Sequence, residues 1–444
     1  MKIQLPEKVQ QIIKTLQSCG YEAYAVGGCV RDSLLGRTPG DWDITTSALP
    51  EETKALFERT FDTGIEHGTI TVLLGKEGFE VTTYRIDGKY EDSRHPSEVT
   101  FTRCLSEDLL RRDFTINAMA YNDEDGIVDM FGGMEDLEKK IIRCVGDAEA
   151  RFEEDALRIM RAVRFSAQLG FEIEEQTQQA IRHLAMNLKN ISAERIQVEL
   201  IKLLTSPHPE QIRLAYELGI TKVMLPEFDL MMETAQETPH HCYTVGEHTI
   251  AALQNCPPDK ILRLTLLFHD MGKPVRKTMD EKGVAHFKGH APVSEAIAKA
   301  IMHRLKFDND TLRKVTKLVF YHDFRMPATP RNVRRAMNQI GLELFPYYLK
   351  VRRADTLAQS MYMREKKLKN IQEMEEIYEQ ILERRQCVSL KDLAVKGGDL
   401  LAIGVERGPQ IGEVLDQLLE VVLEEPEKNQ KEQLLEEAAK LIKS

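Results

Sequence analysis

Short β-rich runs alternate with helical ones along the first third of the chain, and helical periodicity takes over afterwards. The segments Tyr21 to Val26, Asp41 to Thr46, Thr69 to Leu74 and Phe79 to Tyr84 concentrate β-branched and aromatic residues and predict strands. Lys76-Glu77-Gly78 predicts a hairpin turn between the last two. From about Ala148 onward apolar residues recur at helical spacing, as in Leu157, Ile159-Met160, Val163 and Phe165. The expected fold is an α+β head followed by an all-α neck, a helical body and a helical tail, which we place at 1–146, 147–205, 206–360 and 361–444. Eight of the twelve histidines fall between His240 and His322, which marks a separate module at about 235–360. The stretch from Gln410 to Ser444 is rich in glutamate, as a solvated helix face is.

Composition narrows the function classes. With 444 residues the chain has room for about three domains. Hydrophobic residues at 42% and charged residues at 30% exclude a disordered chain. Sixty Lys+Arg against seventy-one Asp+Glu give a net charge of -11, so nucleic acid can only meet a local basic patch. Arg331, Arg334, Arg335, Lys350, Arg352 and Arg353 are the candidate phosphate contacts; a solvated charge run is the alternative. Seven cysteines, an odd number without a CxxC pair, speak against disulfides or a cysteine zinc site and for a reducing compartment. No stretch approaches the ~20 apolar residues of a membrane span, so a cytoplasmic protein is expected.

The candidate chemistry begins at Asp41-Trp42-Asp43. In a strand, side chains two apart share a face, so both carboxylates project together. Such a pair can hold two metals roughly 3.5–4 Å apart, as phosphoryl transfer uses, and Mg²⁺ prefers these oxygen ligands. Glu80, on the strand FEVTTYR, is a third candidate acid. Alone, the pattern fits a solvated strand end or a turn better than a metal site. Gly27-Gly28, between a strand and the helix predicted from Cys29 to Leu35, offers bare amides to a triphosphate, or simply a tight turn.

The ensemble carries more than its parts. GGCVRDSLLG, DWD, Glu80, RRDFTINAMA at Arg111 to Ala120, EEDALRIMRAVRF at Glu153 to Phe165 and ISAERIQVEL at Ile191 to Leu200 occur in order. Over about residues 20 to 205 the chain resembles the class II nucleotidyltransferases, specifically the bacterial tRNA CCA-adding enzymes and their poly(A) polymerase relatives. The resemblance implies a polymerase-β-like palm that extends an RNA 3′ end from CTP and ATP without a nucleic-acid template. It implies Mg²⁺ on Asp41 and Asp43, with Glu80 as third acid. It assigns Gly28, Arg31 and Asp32 to the triphosphate and metal motif, and Arg112, Asp113 and Asn117 to ribose recognition. The implied partner is tRNA; no protein partner and no membrane are implied.

Asp155 and Arg158 also have a direct chemical reading. Three apart on one helix, they would share a face, with Cβ atoms about 5–6 Å apart. Arginine only donates and ionised aspartate only accepts, so the pair complements the Watson–Crick edges of cytosine and adenine. Uracil and guanine would leave polar groups unpaired, at about 1–3 kcal/mol each. Arg161 and Arg164 continue the spacing toward base or phosphates. An ordinary surface ion pair remains the alternative. The run Gly64 to Val72 resembles the TGxxHGTxTV segment of CCA-adding enzymes, and the basic GRRF-like segment of bacterial poly(A) polymerases is not seen. Arg85 to Arg103, with Tyr90, Asp92, Arg94 and Pro96, resembles the loop that full CCA enzymes use to switch from C to A, which CC-only enzymes lack.

In the histidine module, LLFHDMGK holds His269-Asp270, with His248 upstream in VGEHT and Asp355 downstream in RRADTLA. The order resembles the HD phosphohydrolase superfamily, and His290 and His322 match the extra histidines of its fuller versions. Imidazoles with carboxylates suit a transition metal, of no particular identity, better than Mg²⁺. Lys273 reads as a phosphate contact or a plain surface lysine. The resemblance implies phosphohydrolysis at an RNA end, such as opening a 2′,3′-cyclic phosphate or removing a terminal phosphate. Gly397 to Leu419 resembles the last element of HD-containing CCA enzymes, in a tail expected to hold the tRNA body.

Overall fold

The structure, a computed structural model, describes residues 2–88 and 99–443. The chain forms two compact units, 1–226 and 227–444. Residues 206–226 therefore group with the head and neck and not with the body, because the helix Ile212–Glu217 packs on the long neck helix Leu157–Leu169.

The first unit is built on a seven-stranded sheet. Its strands are β1 (Ala23–Val26), β2 (Ile44–Thr46), β3 (Thr60–Gly64), β4 (Thr69–Leu74), β5 (Glu77–Thr83), β6 (Met119–Asn122) and β7 (Gly126–Asp129), in the order β3-β4-β5-β2-β1-β6-β7. Among the neighbouring strands of this sheet, β2 and β5 run parallel and the others antiparallel. Helix α1 (Glu7–Ser18) buries Val9, Ile12, Ile13 and Leu16, one stripe at helical spacing, and packs against β1. The hairpin turn falls one residue earlier than the sequence suggests. Leu74 pairs with Glu77, so Gly75-Lys76 forms the turn, with Gly75 at φ +68°, a conformation a two-residue turn asks of glycine. Gly78 lies inside β5, where a Cβ would approach Thr71 Cγ2 to 2.9 Å.

Two further expectations are corrected. Asp41-Trp42-Asp43 precedes β2 and is not part of it, although Val26 N donates to Asp43 O at 3.0 Å and holds Asp43 at the end of the ladder. The helix expected across Glu153 to Phe165 is broken into α2 (Ala148–Glu154) and α3 (Leu157–Leu169). Asp155 sits in the break at φ -139°, ψ 101°, and its carboxylate accepts from Leu157 N at 3.0 Å. An aspartate that satisfies an orphan amide starts a new helix more readily than it continues the old one.

The second unit is helical. Several of its helices begin where a side chain accepts from the third amide onward: Thr244 from Glu247 N, Asp259 from Leu262 N, Asp308 from Thr311 N and Thr329 from Asn332 N. Its C-terminal core joins Val333, Met337, Phe345, Tyr348, Leu418 and Val422. No helix among the described residues is long and apolar enough to cross a membrane.

The basic cluster in this unit is not one phosphate-binding face. Arg334 and Arg352 are buried, Arg352 donating to Tyr348 Oη at 3.1 Å. Arg331 and Arg335 pair with Glu424 and Glu420, and Arg353 with Glu375; Lys350 is exposed. Acidic residues 22 to 93 positions away in sequence pair with three of these arginines. Arg334 donates to Leu423 O at 2.8 Å and Glu424 O at 3.0 Å, closing the end of the helix Pro409–Glu424. Arg334→Ala leaves those carbonyls unpaired and is expected to lower stability by about 2–3 kcal/mol. Arg331→Ala, which removes an exposed pair, should cost under about 1 kcal/mol. Urea titration of both variants checks the contrast, and equal losses would contradict it.

Two candidate active sites

In the head, the parallel register of β2 and β5 pairs Ile44 with Val81. One residue back along both strands, Asp43 stands beside Glu80. Asp41, Asp43 and Glu80 line a cleft of about 700 Å³ together with Trp42 and Phe79. The cleft walls limit hydration of Asp43 even though it opens to solvent. That desolvation, with repulsion from Asp41 and Glu80, raises its carboxyl above the ordinary value against the pull of Arg112. Crowded acids whose charge is resisted are a donor set that a hard divalent cation relieves.

Next to the acids lies a chain of paired groups. Arg31 donates to Asp32 at 2.9 Å and to Asn117 Oδ1 at 2.7 Å; Asn117 donates to Asp113 at 3.0 Å, and Arg161 to Asp113 at 2.7 Å. Burial works against ionised Asp113, but Arg161 and Asn117 outweigh it and bring its carboxyl down to about 2. Gly27, at φ +82°, gives Arg112 its approach, since a Cβ there would sit 3.0 Å from Nη1. Arg31, Asp32, Asp113, Asn117 and Arg161 thus converge through these contacts, with Arg112 against Gly27, the neighbour of Gly28.

Asp155 and Arg158 do not form the shared helical edge expected of them. Asp155 pairs with Arg195 at 2.6 Å. Arg158, largely buried, pairs with Glu154 at 2.6 Å and donates to Arg151 O and Arg111 O. Arg164 turns to Glu199 at 2.6 Å. Tyr90, Asp92, Arg94 and Pro96 lie outside the described residues; on either side of them Arg85–Asp87 and Val99–Phe101 pair as antiparallel strands.

Two residues of this region escaped the sequence reading. Phe165, assigned there to a core stripe, collects the guanidinium carbons of Arg31, Arg161 and Arg164 at 5.1, 5.3 and 3.7 Å from its ring centre. Asp108, fully buried, binds Arg111 at 2.7 Å, Arg112 at 3.4 Å and Thr45 Oγ1 at 3.1 Å. Its spacing of three and four from those arginines on a helix was the available signal.

In the second unit, His248, His269, Asp270, His290, His322 and Asp355 come together. Asp270 Oδ2 lies 3.2 Å from His269 Nε2 and 3.7 Å from His248 Nε2; Oδ1 lies 3.3 Å from His290 Nε2 and 3.6 Å from His322 Nε2. Asp355 meets His248 Nε2 at 2.9 Å. In His269, His290 and His322, Nδ1 bonds a main-chain carbonyl at 2.6, 2.9 and 2.6 Å. That contact assigns the ring proton to Nδ1 and leaves Nε2 as a lone-pair donor, the usual support of a metal-binding imidazole. His290 and His322 then face each other Nε2 to Nε2 at 3.0 Å, and buried His269 Nε2 has no hydrogen-bond partner among the described residues. Acceptors turned on one another call for a cation between them, and the nitrogen and oxygen mix fits a transition metal. Two donor triads share Asp270: His248, His269 and Asp270, and Asp270, His290 and His322.

Lys273 is not a surface lysine. It is buried, with Nζ 2.7 Å from Asp270 and 2.8 Å from Gln236 Oε1. Burial resists the charge on Asp270, yet positive charge at its side, that of Lys273 included, holds its carboxyl well below the ordinary value. His241, missed in the sequence, sets its ring edge-on to His248 at 4.8 Å. Burial and the nearby Lys273 bring it down to about 2, so it stays neutral.

Comparison with known proteins bears on both units. The Poly A polymerase head domain family matches residues 23–143, the family "Probable RNA and SrmB-binding site of polymerase A" matches 170–232, and a tRNA nucleotidyltransferase domain 2 family matches 278–438. The chain is 38% identical over 431 residues to the CCA-adding enzyme of Leuconostoc mesenteroides, covering 94% of this chain and 93% of that one. It is 35% identical to the CCA-adding enzyme of Leuconostoc citreum, covering 100% and 99%. The crystal structure of the Bacillus stearothermophilus CCA-adding enzyme in complex with CTP superposes with a TM-score of 0.73 at 30% identity, covering 99% of this chain and 100% of that one. With the acidic cleft, the arginine and aspartate network beside it and full-length likeness to these enzymes, the chain belongs to the family of CCA-adding enzymes.

Proposed function

We propose that the head adds C, C and A to the 3′ end of tRNA from CTP and ATP, and that the histidine module is a separate metal-dependent phosphohydrolase acting on RNA ends. The crowding of Asp41, Asp43 and Glu80 in one cleft carries the first reading. Asp41 and Asp43 would hold Mg²⁺, which when bound activates the attacking hydroxyl and steadies the pyrophosphate leaving group. Arg31, Asp32 and Gly28 orient the triphosphate, while Arg112, Asp113 and Asn117 hold the ribose. Asp155 and Arg158 read the base edge, as acceptor and donor respectively, once the substrate draws them from Arg195 and Glu154. Arg161 and Arg164 support that edge from α3.

The test supplies tRNA lacking its 3′ CCA with CTP, ATP and Mg²⁺ and reads product length. Three added nucleotides are expected. Two would reduce the reading to CC addition, and a long run of A would favour poly(A) synthesis. In the same assay Asp155→Ala and Arg158→Ala are expected to lower discrimination against UTP and GTP by about 10-fold or more, since each removed group takes away a mismatch of about 1–3 kcal/mol. Unchanged selectivity at measurable rates would remove the pair from base reading.

For the module, the observation that carries the reading is Asp270 offering one oxygen to each pair of imidazoles. His248, His269, Asp270, His290, His322 and Asp355 would hold a transition metal, which when bound supplies an activated water for attack on phosphorus. Lys273, fixed by Asp270 and Gln236, keeps a positive charge at the cavity wall.

A further inference from the structure

The cavity over the second site is larger than a phosphate needs. It encloses about 610 Å³, room for a nucleotide. Its inner wall carries Asp270, His290 and His322, and its lining includes Lys288, Arg325 and Lys367. Asp323 neutralises Arg325 at 2.6 Å; with Lys273 and the carboxylates of Asp270 and Asp355 counted beside Lys288 and Lys367, the lining keeps one net positive charge. His240 also lines the cavity, and its ring meets that of Tyr362 at 4.9 Å and 60°. Tyr362 is 54% exposed, unlike Tyr348, which the fold buries completely.

The pair is held in place from several sides. Ser360 N donates to His240 O at 2.9 Å, and Ser360 Oγ to Pro239 O at 2.6 Å. Tyr362 N donates back to Ser360 Oγ at 3.3 Å. Lys367 Nζ reaches both His240 Nδ1 at 3.3 Å and Gln359 Oε1 at 2.5 Å. Met363, the next residue, turns the chain at φ +59°, a left-handed conformation uncommon outside glycine. An anchored, solvent-facing aromatic beside a cationic cavity is the combination that binds single-stranded nucleic acid, with cations on the phosphates and the ring under a base.

Resting on the phosphohydrolase reading, we propose that His240 and Tyr362 form a base-stacking platform, so that the cavity takes the terminal nucleotide of an RNA 3′ end with its 2′ or 3′ phosphate toward Asp270. Every base has a π face, so the platform tolerates any base.

The test uses the full chain loaded with Mn²⁺, its head saturated with CTP, and titrates adenosine 3′-phosphate or ribose 3-phosphate by calorimetry. The wild type should bind the nucleotide about 10-fold or more tightly than the baseless sugar phosphate, the effect of one stacked base. Tyr362→Ala should erase that difference and leave ribose 3-phosphate affinity within about twofold, while Tyr362→Trp restores it. Mn²⁺ retention and a melting temperature equal to those of the wild type report that the variants fold. Equal losses for both probes, or none for the nucleotide, would overturn the platform. If the wild type binds both probes alike yet opens RNA 2′,3′-cyclic phosphates, only the platform fails. If it binds neither and opens none, the phosphohydrolase reading fails with it.

Discussion

Asp43→Ala should lower CTP and ATP incorporation by about 1,000-fold or more while tRNA binding persists. The carboxylate is one of two proposed Mg²⁺ ligands, and phosphoryl transfer depends on charge placement and little else from the protein. A loss of about 4 kcal/mol of transition-state stabilisation corresponds to that factor. The same substitution should not weaken the fold. An acid whose carboxyl is raised in the native state favours folding less as pH climbs through and beyond the ordinary carboxylate range, because the unfolded chain then ionises more readily. Removing it relieves that cost, so the metal-free melting temperature at neutral pH should hold or rise. A functional site maintained against stability behaves this way. A drop in melting temperature, or near-normal incorporation by the folded variant, would remove Asp43 from the metal site.

The second large effect is expected at Asp270. Each of its oxygens faces a different pair of imidazoles, so Asp270→Ala removes the shared ligand of both donor triads at once. Mn²⁺, Ni²⁺ or Co²⁺ retained by the second site after dialysis, counted by elemental analysis, should fall by more than about 10-fold. Hydrolysis of an RNA 2′,3′-cyclic phosphate should disappear with it. His322→Ala, which belongs to one triad only, should retain more metal than Asp270→Ala. CCA addition should continue in both variants, because the acids of the head are a different donor set in a different unit. Loss of both activities in a folded variant would mean that the sites are coupled.

These two predictions rest on residues whose chemistry is legible in the chain alone. Asp41, Asp43 and Glu80, and the His269-Asp270 doublet with its outlying histidines, are residue types that metal chemistry selects. Phe165 was not legible as a gathering point for three arginines, because a phenylalanine at helical spacing also fits any core. Nor could the sequence show that Lys273 is buried, since that follows from Gln236 and Asp270 closing over it.

By itself, then, the sequence determined which groups are present, which alternating or helical stripes they ride on, and that an α+β head precedes a helical remainder. Period and composition are local properties, read within a turn or a strand. Tertiary structure decided the partners. It broke the expected helix at Asp155, whose carboxylate found Leu157 N and Arg195. It spent the supposed phosphate-binding arginines on Glu375, Glu420 and Glu424 and on main-chain carbonyls. It also joined His248 to Asp355 across 107 residues. Charged and hydrogen-bonding groups satisfy whatever the packed chain brings within about 3 Å, and that neighbour is chosen by the global fold, not by sequence distance.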